Sequence, residues 1–381
     1  MIDISKRESI DIRDKRVSVI GLGLSGTAAA LLANHLGAIV FASDSSSDYN
    51  ISDNGLKLMK HHIASETGLH SDKIYDADLW IISPGIPKNA EIVKKAIMLG
   101  ISIVGEIEFA SWYTDSPIIA VTGSNGKTTT VHILSEMCCS KNIDSFMAGN
   151  IGIPFSERVL NEIKKPNSDS VYILEISSFQ MEFTIHFRPT IAVFTNLSPD
   201  HLDRHGSMVE YVNMKLKMIQ NMGENDKVVY NEDDNALSTT LKSKKVQLAP
   251  FSIVKPGMKY QIDSDKVLGP NKSTLINVNE IALPGKHNLS NILAATTVSH
   301  LMGISDSHIT YIMKNFIGVE HRLEKVTTIN KVDYVNDSKV TNLDSVIVAI
   351  DSYKAPIVLI LGGRNKGADF RLLLPHILSS H

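Results

Sequence analysis

Two cysteines in 381 residues, the neighbours Cys138 and Cys139, are all that this sequence carries. An adjacent pair on a helix-forming stretch is badly placed to close a disulfide loop, and two thiols alone make no metal site. That usage fits a reducing cytosol, so a cytoplasmic location is expected. No apolar run reaches the length that spans a bilayer, and residues 1–15 are polar with charges of both signs, so neither a membrane partner nor an export leader is expected. Charge of one sign is also scarce. With 38 Lys plus Arg against 41 Asp plus Glu the formal net charge is −3, which disfavours a nucleic-acid partner. Internal repeats and low-complexity tracts are missing too.

What is present is a globular composition, 43% hydrophobic and 21% charged, on a length that allows two or three domains with separate cores. The first segment opens on Val17-Ser-Val-Ile20, a β-branched run, then a glycine loop, then helix formers over 27–37. Apolar runs at 39–42, 79–82 and 101–104 alternate with helix-compatible stretches, which predicts a parallel α/β sheet ending near Trp112. The second segment starts at Pro117-Ile-Ile-Ala-Val121, again strand, loop and helix, and offers further strands at 171–175, 191–195 and 227–230 and a long helix at 287–302. A third begins near Gly318, with strands at 332–335 and 357–361 and a helix between them. The expected division is 1–112, 113–317 and 318–381. About 60 residues bury too little surface for an ordinary domain, so the third is expected to be cut short.

Two glycine loops carry the chemistry. Gly21-Leu-Gly-Leu-Ser-Gly26 lies between strand and helix, with Asp44 near the end of the second strand. Such a loop lets backbone approach a pyrophosphate at a helix N-terminus; alone it fits an NAD-dependent oxidoreductase as well as a binder of other nucleotides. The second loop, Gly123-Ser124-Asn125-Gly126-Lys127-Thr128, has the parts of a phosphate cradle: backbone amides, a lysine for the β/γ-phosphates and a hydroxyl for Mg²⁺. It is shorter than the Walker pattern, because Val121 stands six places before Lys127. An ordinary glycine turn would lack the order strand, loop, Gly-Lys-Thr, helix. Glu175 closes Val-Tyr-Ile-Leu and precedes Ile-Ser-Ser-Phe-Gln180, a carboxylate at the carboxyl edge of a parallel sheet, where ligands bind; a salt-bridged strand end would look the same. Thr195-Asn-Leu-Ser-Pro-Asp-His201-Leu-Asp203-Arg-His205 crowds imidazoles and carboxylates after another strand and points to a metal or phosphate role.

In chain order, Thr122-Gly-Ser-Asn-Gly-Lys-Thr, Leu174-Glu-Ile-Ser-Ser-Phe-Gln, Thr195-Asn with Asp200-His-Leu-Asp-Arg, Leu283-Pro-Gly-Lys-His-Asn-Leu-Ser-Asn291, Glu320-His-Arg322, Asn336-Asp-Ser-Lys-Val-Thr341 and Leu361-Gly-Gly-Arg-Asn-Lys-Gly-Ala-Asp-Phe370 resemble the Mur ligases. The first glycine loop and Ser83-Pro-Gly-Ile86 look most like the member that joins D-glutamate to UDP-N-acetylmuramoyl-L-alanine in peptidoglycan synthesis. The resemblance implies three α/β domains: a Rossmann-like N-terminal one, a central one like a P-loop ATPase, and an incomplete Rossmann-like C-terminal one. It implies that the first glycine loop holds a uridine nucleotide rather than NAD, through Leu24, Ser25, Asp44 and Ser45, with Ser83, Gly85 and Asn150 nearby. ATP falls to the loop from Gly123 to Gly126, to Lys127, Thr128 and Thr129, to Asn288 and Asn291 on the adenine side, and to Arg322 and Asp337 from the third domain. Mg²⁺ falls to Thr128, Glu175 and His201, and to Lys215 if it is carbamylated as the family's lysine is. Alone, Lys215 reads as a solvated helix lysine, Asn288 and Asn291 as helix-start caps, and Asp337 as a turn residue.

The implied chemistry activates a carboxylate, a poor acyl donor, by transfer of the γ-phosphoryl of ATP, with Mg²⁺, Lys127 and Lys339 neutralising charge and His201 and Lys215 completing the catalytic set. The amino acid's amine then attacks the acyl-phosphate, and Lys366 matches a residue near that acceptor. A monomer is expected. Two alternatives stay open at this point: a nucleotide-binding fragment without turnover, and a related ligase with another acceptor, such as folate-linked glutamate.

Overall fold

A computed structural model of the chain describes residues 2–140, 143–340, 342–353, 356–363 and 369–379. The first unit runs β1 (Arg16–Ile20), α1 (Leu24–His35), β2 (Ile39–Asp44), α2 (Tyr49–Lys60), β3 (Ala64–Thr67), β4 (Leu79–Ile82), α3 (Glu91–Met98), β5 (Ser102–Gly105) and α4 (Glu106–Ser111). Its strands are all parallel in the order β3-β2-β1-β4-β5. Helices cover both faces of β1 and β4, so Val17, Val19 and Ile20 of β1 and the whole of the apolar β4 are buried. The chain leaves β1 for β2 and β3 on one side and returns to β4 on the other, which opens a crevice at the carboxyl edge between β1 and β4. Gly21 and Ser83 meet in it: a Cβ on Gly21, at φ +95°, would stand 2.6 Å from the Ser83 Cβ.

The second unit repeats the scheme on a larger sheet. It comprises β6 (Ile118–Thr122), α5 (Lys127–Cys138), β7 (Asp144–Gly149), α6 (Phe155–Lys164), β8 (Ser170–Glu175), β9 (Ile191–Phe194), α7 (Leu202–His205), α8 (Met208–Leu216), β10 (Lys227–Asn231), α9 (Asn235–Lys242), β11 (Gln247–Ser252), β12 (Tyr260–Asp263), β13 (Lys266–Leu268), β14 (Thr274–Asn277), α10 (Lys286–Leu301) and α11 (Asp306–Asn315). The order is β14-β13-β12-β11-β10-β9-β6-β8-β7, parallel as far as β12 and antiparallel at β13 and β14. Here the order reverses between β6 and β9, directly under the second glycine loop. One apolar cluster runs from Val19 and Ala29 through Phe109 and Trp112 to Phe155 and Tyr172, so the first two units share a core.

After Gly318 the structure thins. β15 (Glu324–Ile329) and β16 (Val332–Asn336) form a hairpin that pairs with no other strand among the described residues, followed by α12 (Leu343–Asp351) and α13 (Leu374–Ser379). The strand predicted at 357–361 is not formed: those residues join no described ladder, and Val358 and Ile360 are 93% and 90% exposed. An apolar run marks a buried strand only where a sheet offers it an edge, and the hairpin does not.

Candidate active site

The loop from Gly123 to Gly126 is shaped by what crowds it. A Cβ on Gly123 would fall 1.9 Å from Thr195 Oγ1, and one on Gly126, at φ +81°, 2.3 Å from Asn291 Oδ1. Only glycine fits between β9, α10 and the loop at these two places. Thr195 Oγ1 donates to the Asn125 carbonyl (2.6 Å) and the Asn125 amide donates to Asn196 Oδ1 (2.8 Å), while Ser124 Oγ donates to the Ser198 carbonyl (2.7 Å). α5 starts at Lys127, whose Nζ folds back onto the carbonyls of Gly123 (2.9 Å) and Ser124 (2.8 Å). Burial pushes the pKa of this ammonium down, against the pull of Glu175 and Asp200.

Glu175, buried at the end of β8, receives Thr128 Oγ1 at 2.8 Å and Asn150 Nδ2 at 2.9 Å. Thr128 is also reached from beyond Gly318 by an Arg322 guanidinium nitrogen (3.3 Å), and Arg322 Nε is buried without a partner. Lys215, on α8, is 2% exposed, lies 4.6 Å from the Tyr211 ring centroid and donates to the Gly123 carbonyl at 2.9 Å. Burial, and then the neighbouring Lys127 charge, lower its pKa well below the usual lysine range, with Asp200 and Glu175 opposing. His201 stands at φ +53° before α7, its ring 4.8 Å from that of Phe179 and its Nε2 3.5 Å from Asp200. Arg204 covers the same Phe179 ring at 4.3 Å and pairs with Glu182 at 2.8 Å.

Asn288 and Asn291 are buried on α10, and neither is the helix cap, which is Gly285. Asn288 Nδ2 donates to the Pro284 carbonyl at 2.6 Å, and Asn291 joins Thr130 to the rear of the loop at 3.3 Å. Thr129 is half-buried on the first turn of α5. Asp337 Oδ1 accepts the Leu323 amide at 3.1 Å, and burial raises its pKa. Lys339 is exposed, and its charge adds to the burial that lowers the pKa of His132, on α5. In the first unit Asp44 accepts the Leu22 amide at 2.7 Å and the Ser46 amide at 2.8 Å, which binds the glycine loop to the end of β2. Leu24 and Ser45 are exposed beside it, Ser25 is half-buried, and Ser83 and Gly85 follow β4 across the crevice. Lys366 lies outside the described residues.

The structure therefore brings Lys127, Thr128, Glu175, Asn150, Lys215 and Arg322 into one contact network around the second loop, and Leu24, Ser25, Asp44, Ser45, Ser83 and Gly85 to the first crevice. Asp200, part of the cluster after β9, acts through its charge on both buried lysines, and two contributors were assigned no role from sequence: Tyr211, and Phe179 under His201. The oxygens of Thr128 and Glu175 suit a hard divalent cation, and the unpartnered Arg322 Nε beside Lys127 suits phosphate oxygens. Among the described residues no group of three His, Cys, Asp or Glu converges as a metal cage, and none of their helices is long and apolar enough to cross a membrane.

Comparison with known proteins follows the same two sheets. The profile of the Mur ligase middle domain matches residues 121–299, and that of the Mur ligase MurD-like N-terminal domain matches residues 15–105. A UDP-N-acetylmuramoylalanine–D-glutamate ligase of Christiangramia forsetii is 40% identical over 369 residues, 95% of this chain and 81% of the relative. A protein of that name from Chlorobium chlorochromatii is 36% identical over 384 residues, again 95% and 81%. Among solved structures, the murein peptide ligase of Psychrobacter arcticus aligns at TM-score 0.59 and 20% identity, covering 88% of this chain and 75% of that one. The UDP-N-acetylmuramate–alanine ligase of Thermotoga maritima aligns at 0.53 and 21%, covering 89% and 77%; likeness at that identity speaks for the fold. Sequence identity sustained across both sheets and on past Gly318, over the same glycine loops that build the two crevices, places the chain in the Mur ligase family.

Proposed function

We propose that the chain is a cytoplasmic, monomeric, ATP-dependent ligase that adds D-glutamate to UDP-N-acetylmuramoyl-L-alanine in peptidoglycan synthesis. One observation carries the reading: Lys127, Thr128, Glu175 and Lys215 of the central unit meet Arg322 from the following segment around a single phosphate loop. Residues 1–112 form the domain for the UDP-linked substrate, with Leu24, Ser25, Asp44, Ser45, Ser83 and Gly85 its contacts, and Asn150 reaches the same substrate from the central unit, beside Glu175. Residues 113–317 hold ATP through the loop, Thr129, Asn288 and Asn291, and residues 318–381 supply Arg322, Asp337 and Lys339, with Lys366 on the amino-acid side.

Thr128 and Glu175 would hold Mg²⁺, joined by His201 and by Lys215 as its carbamate; when bound, the ion supplies positive charge against the phosphate oxygens. The lowered pKa of Lys215 favours the neutral amine that adds to CO₂ with loss of a proton. A carboxylate oxygen of the precursor attacks the γ-phosphorus, the bond to the β-phosphate oxygen breaks, and ADP leaves. Lys127 would move from the carbonyls of Gly123 and Ser124 onto the transferring phosphoryl group, where positioning and charge supply most of the rate. The D-glutamate amine then attacks the acyl carbon, gives up a proton, and phosphate departs.

The test is phosphate release by the purified chain with ATP, Mg²⁺ and UDP-N-acetylmuramoyl-L-alanine. Release is expected only with D-glutamate present, and Lys127→Ala should lower it by roughly 10²–10³-fold. Release supported equally by another amino acid, or by none, would overturn the assignment.

A further inference from the structure

The ties between the phosphate loop and the last segment do not stop at Arg322. Asn125, the third residue of the loop Gly123-Ser-Asn-Gly126, spends its backbone on the central unit: its amide binds Asn196 and its carbonyl receives Thr195 Oγ1 and Asn196 Nδ2. Its side chain points the other way. Asn125 Oδ1 accepts Ser345 Oγ at 2.8 Å and Asn342 Nδ2 at 3.1 Å, across 220 and 217 residues of sequence. Both partners sit at the start of α12: Asn342 is its N-cap, its Oδ1 accepting the Ser345 amide at 2.9 Å, and Ser345 is in its first turn. One carbonyl oxygen of the loop is thus gripped by two donors on a helix that follows Asp337 and Lys339 directly.

We propose that Ser345 and Asn342 are positioning residues for phosphoryl transfer, which hold the Asp337–Lys339 turn over the nucleotide by clamping α12 to Asn125. This rests on the ligase reading above. α12 and the turn are separated by three residues, 340–342, so a helix start fixed on the loop fixes where Lys339 can reach. Arg322 makes the other end of the same closure at Thr128, with the Leu323 amide held by Asp337. Since the clamp uses a side-chain oxygen of the loop and none of its backbone, losing it should spare nucleotide binding and impair the step that needs the domains closed.

The variants are Ser345→Ala, the conservative Ser345→Thr, and Asn342→Ser, which keeps an N-cap oxygen but removes the amide donor. For phosphate release, Ser345→Ala combined with Asn342→Ser should lower kcat about 10–100-fold with KM for ATP within about threefold, and Ser345→Thr should retain most activity. In a double-mutant cycle, Ser345→Ala added to Asn125→Ala should cost little beyond Asn125→Ala alone, because the oxygen that Ser345 binds is already gone. A loss that falls on KM for ATP, or losses that multiply in the cycle, would overturn the proposal. Wild-type release that ignores D-glutamate would sink the ligase reading instead. Amide exchange over 343–351 separates the two without turnover: Ser345→Ala and Asn125→Ala should each speed exchange there, and the pair no further than Asn125→Ala alone. Unchanged exchange in both would dispose of the clamp.

Discussion

Lys215 has its positive charge opposed twice, by burial and by the Lys127 ammonium, and is compensated by carbonyl and hydroxyl oxygens, the Tyr211 ring and the more distant Asp200 and Glu175. Its folded pKa therefore lies below its unfolded value, so between the two the unfolded chain binds more protons than the native one and stability rises with pH. Replacing the lysine by methionine removes a buried charge at similar length, so Lys215→Met should raise the melting midpoint near pH 7 by about 2–4 °C in bicarbonate-free buffer and flatten its rise toward pH 10, while phosphate release is lost. A midpoint that falls would mean the ammonium is better compensated than its contacts show. Bicarbonate added to CO₂-depleted wild-type protein should restore phosphate release and should leave Lys215→Met inactive; no response in the wild type would remove the carbamate from the mechanism. The family resemblance singled out this lysine, but its burial beside Tyr211 could not be read from the sequence, because a lysine on a helix of mixed polarity looks solvated until tertiary contacts decide.

At the scale of elements, α4 is where the first two units are fastened. Glu108 accepts the amides of Ile185, His186 and Phe187 and the Trp112 indole, while Glu106 Oε1 accepts the Ser156 amide at 2.6 Å and its Oε2 has no partner. Burial pushes the Glu106 pKa up to about 7, against hydrogen bonds from Ser156 and Phe155 that lower it. Here the sign is reversed: the native chain holds the extra proton, so stability is fully present below about 4.5 and is lost as pH rises through about 7. Chemical denaturation at stepped pH should show wild type losing up to about 1.4 kcal/mol per pH unit in that window relative to Glu106→Gln; identical slopes would dismiss the buried acid. The central strands β1, β4, β6, β8, β9 and β10, with β2 and β5, were legible because they form apolar runs, whereas the less buried parallel strands β3, β7 and β11 were not; the helix at 286–301 was found within one residue. Helix α1 begins at Leu24, three residues before the expected start, because the glycine loop itself feeds the first turn. The antiparallel edge β12 to β14 and the Glu106 and Glu108 fastenings were not legible, since short amphipathic strands and buried carboxylates depend on neighbours far away in sequence.

For the whole molecule, cohesion is uneven. Two units share one apolar cluster, whereas among the described residues from 324 onward only Ile350 and Leu373 are buried hydrophobics, and the only sheet there is a lone hairpin. An isolated hairpin is marginal, and a segment with few buried contacts opens at a free energy well below that of global unfolding. Its ties to the centre are polar, Arg322 to Thr128 and α12 to Asn125, and they converge on the loop proposed to hold ATP. A nucleotide engaging Lys127 on one side and Arg322 on the other would therefore bridge the weakest boundary in the molecule. Limited proteolysis should cut first after residue 318 and leave the first two units intact, and a non-hydrolysable ATP analogue with Mg²⁺ at about 100 times its Kd should slow that first cut by up to about 100-fold, the equivalent of about 2.7 kcal/mol. Arg322→Ala should lose most of this protection while still binding the analogue through the loop. If the chain is instead cut everywhere at one rate, or the analogue protects Arg322→Ala as well as wild type, the segment after 318 is held by forces other than the shared phosphate loop.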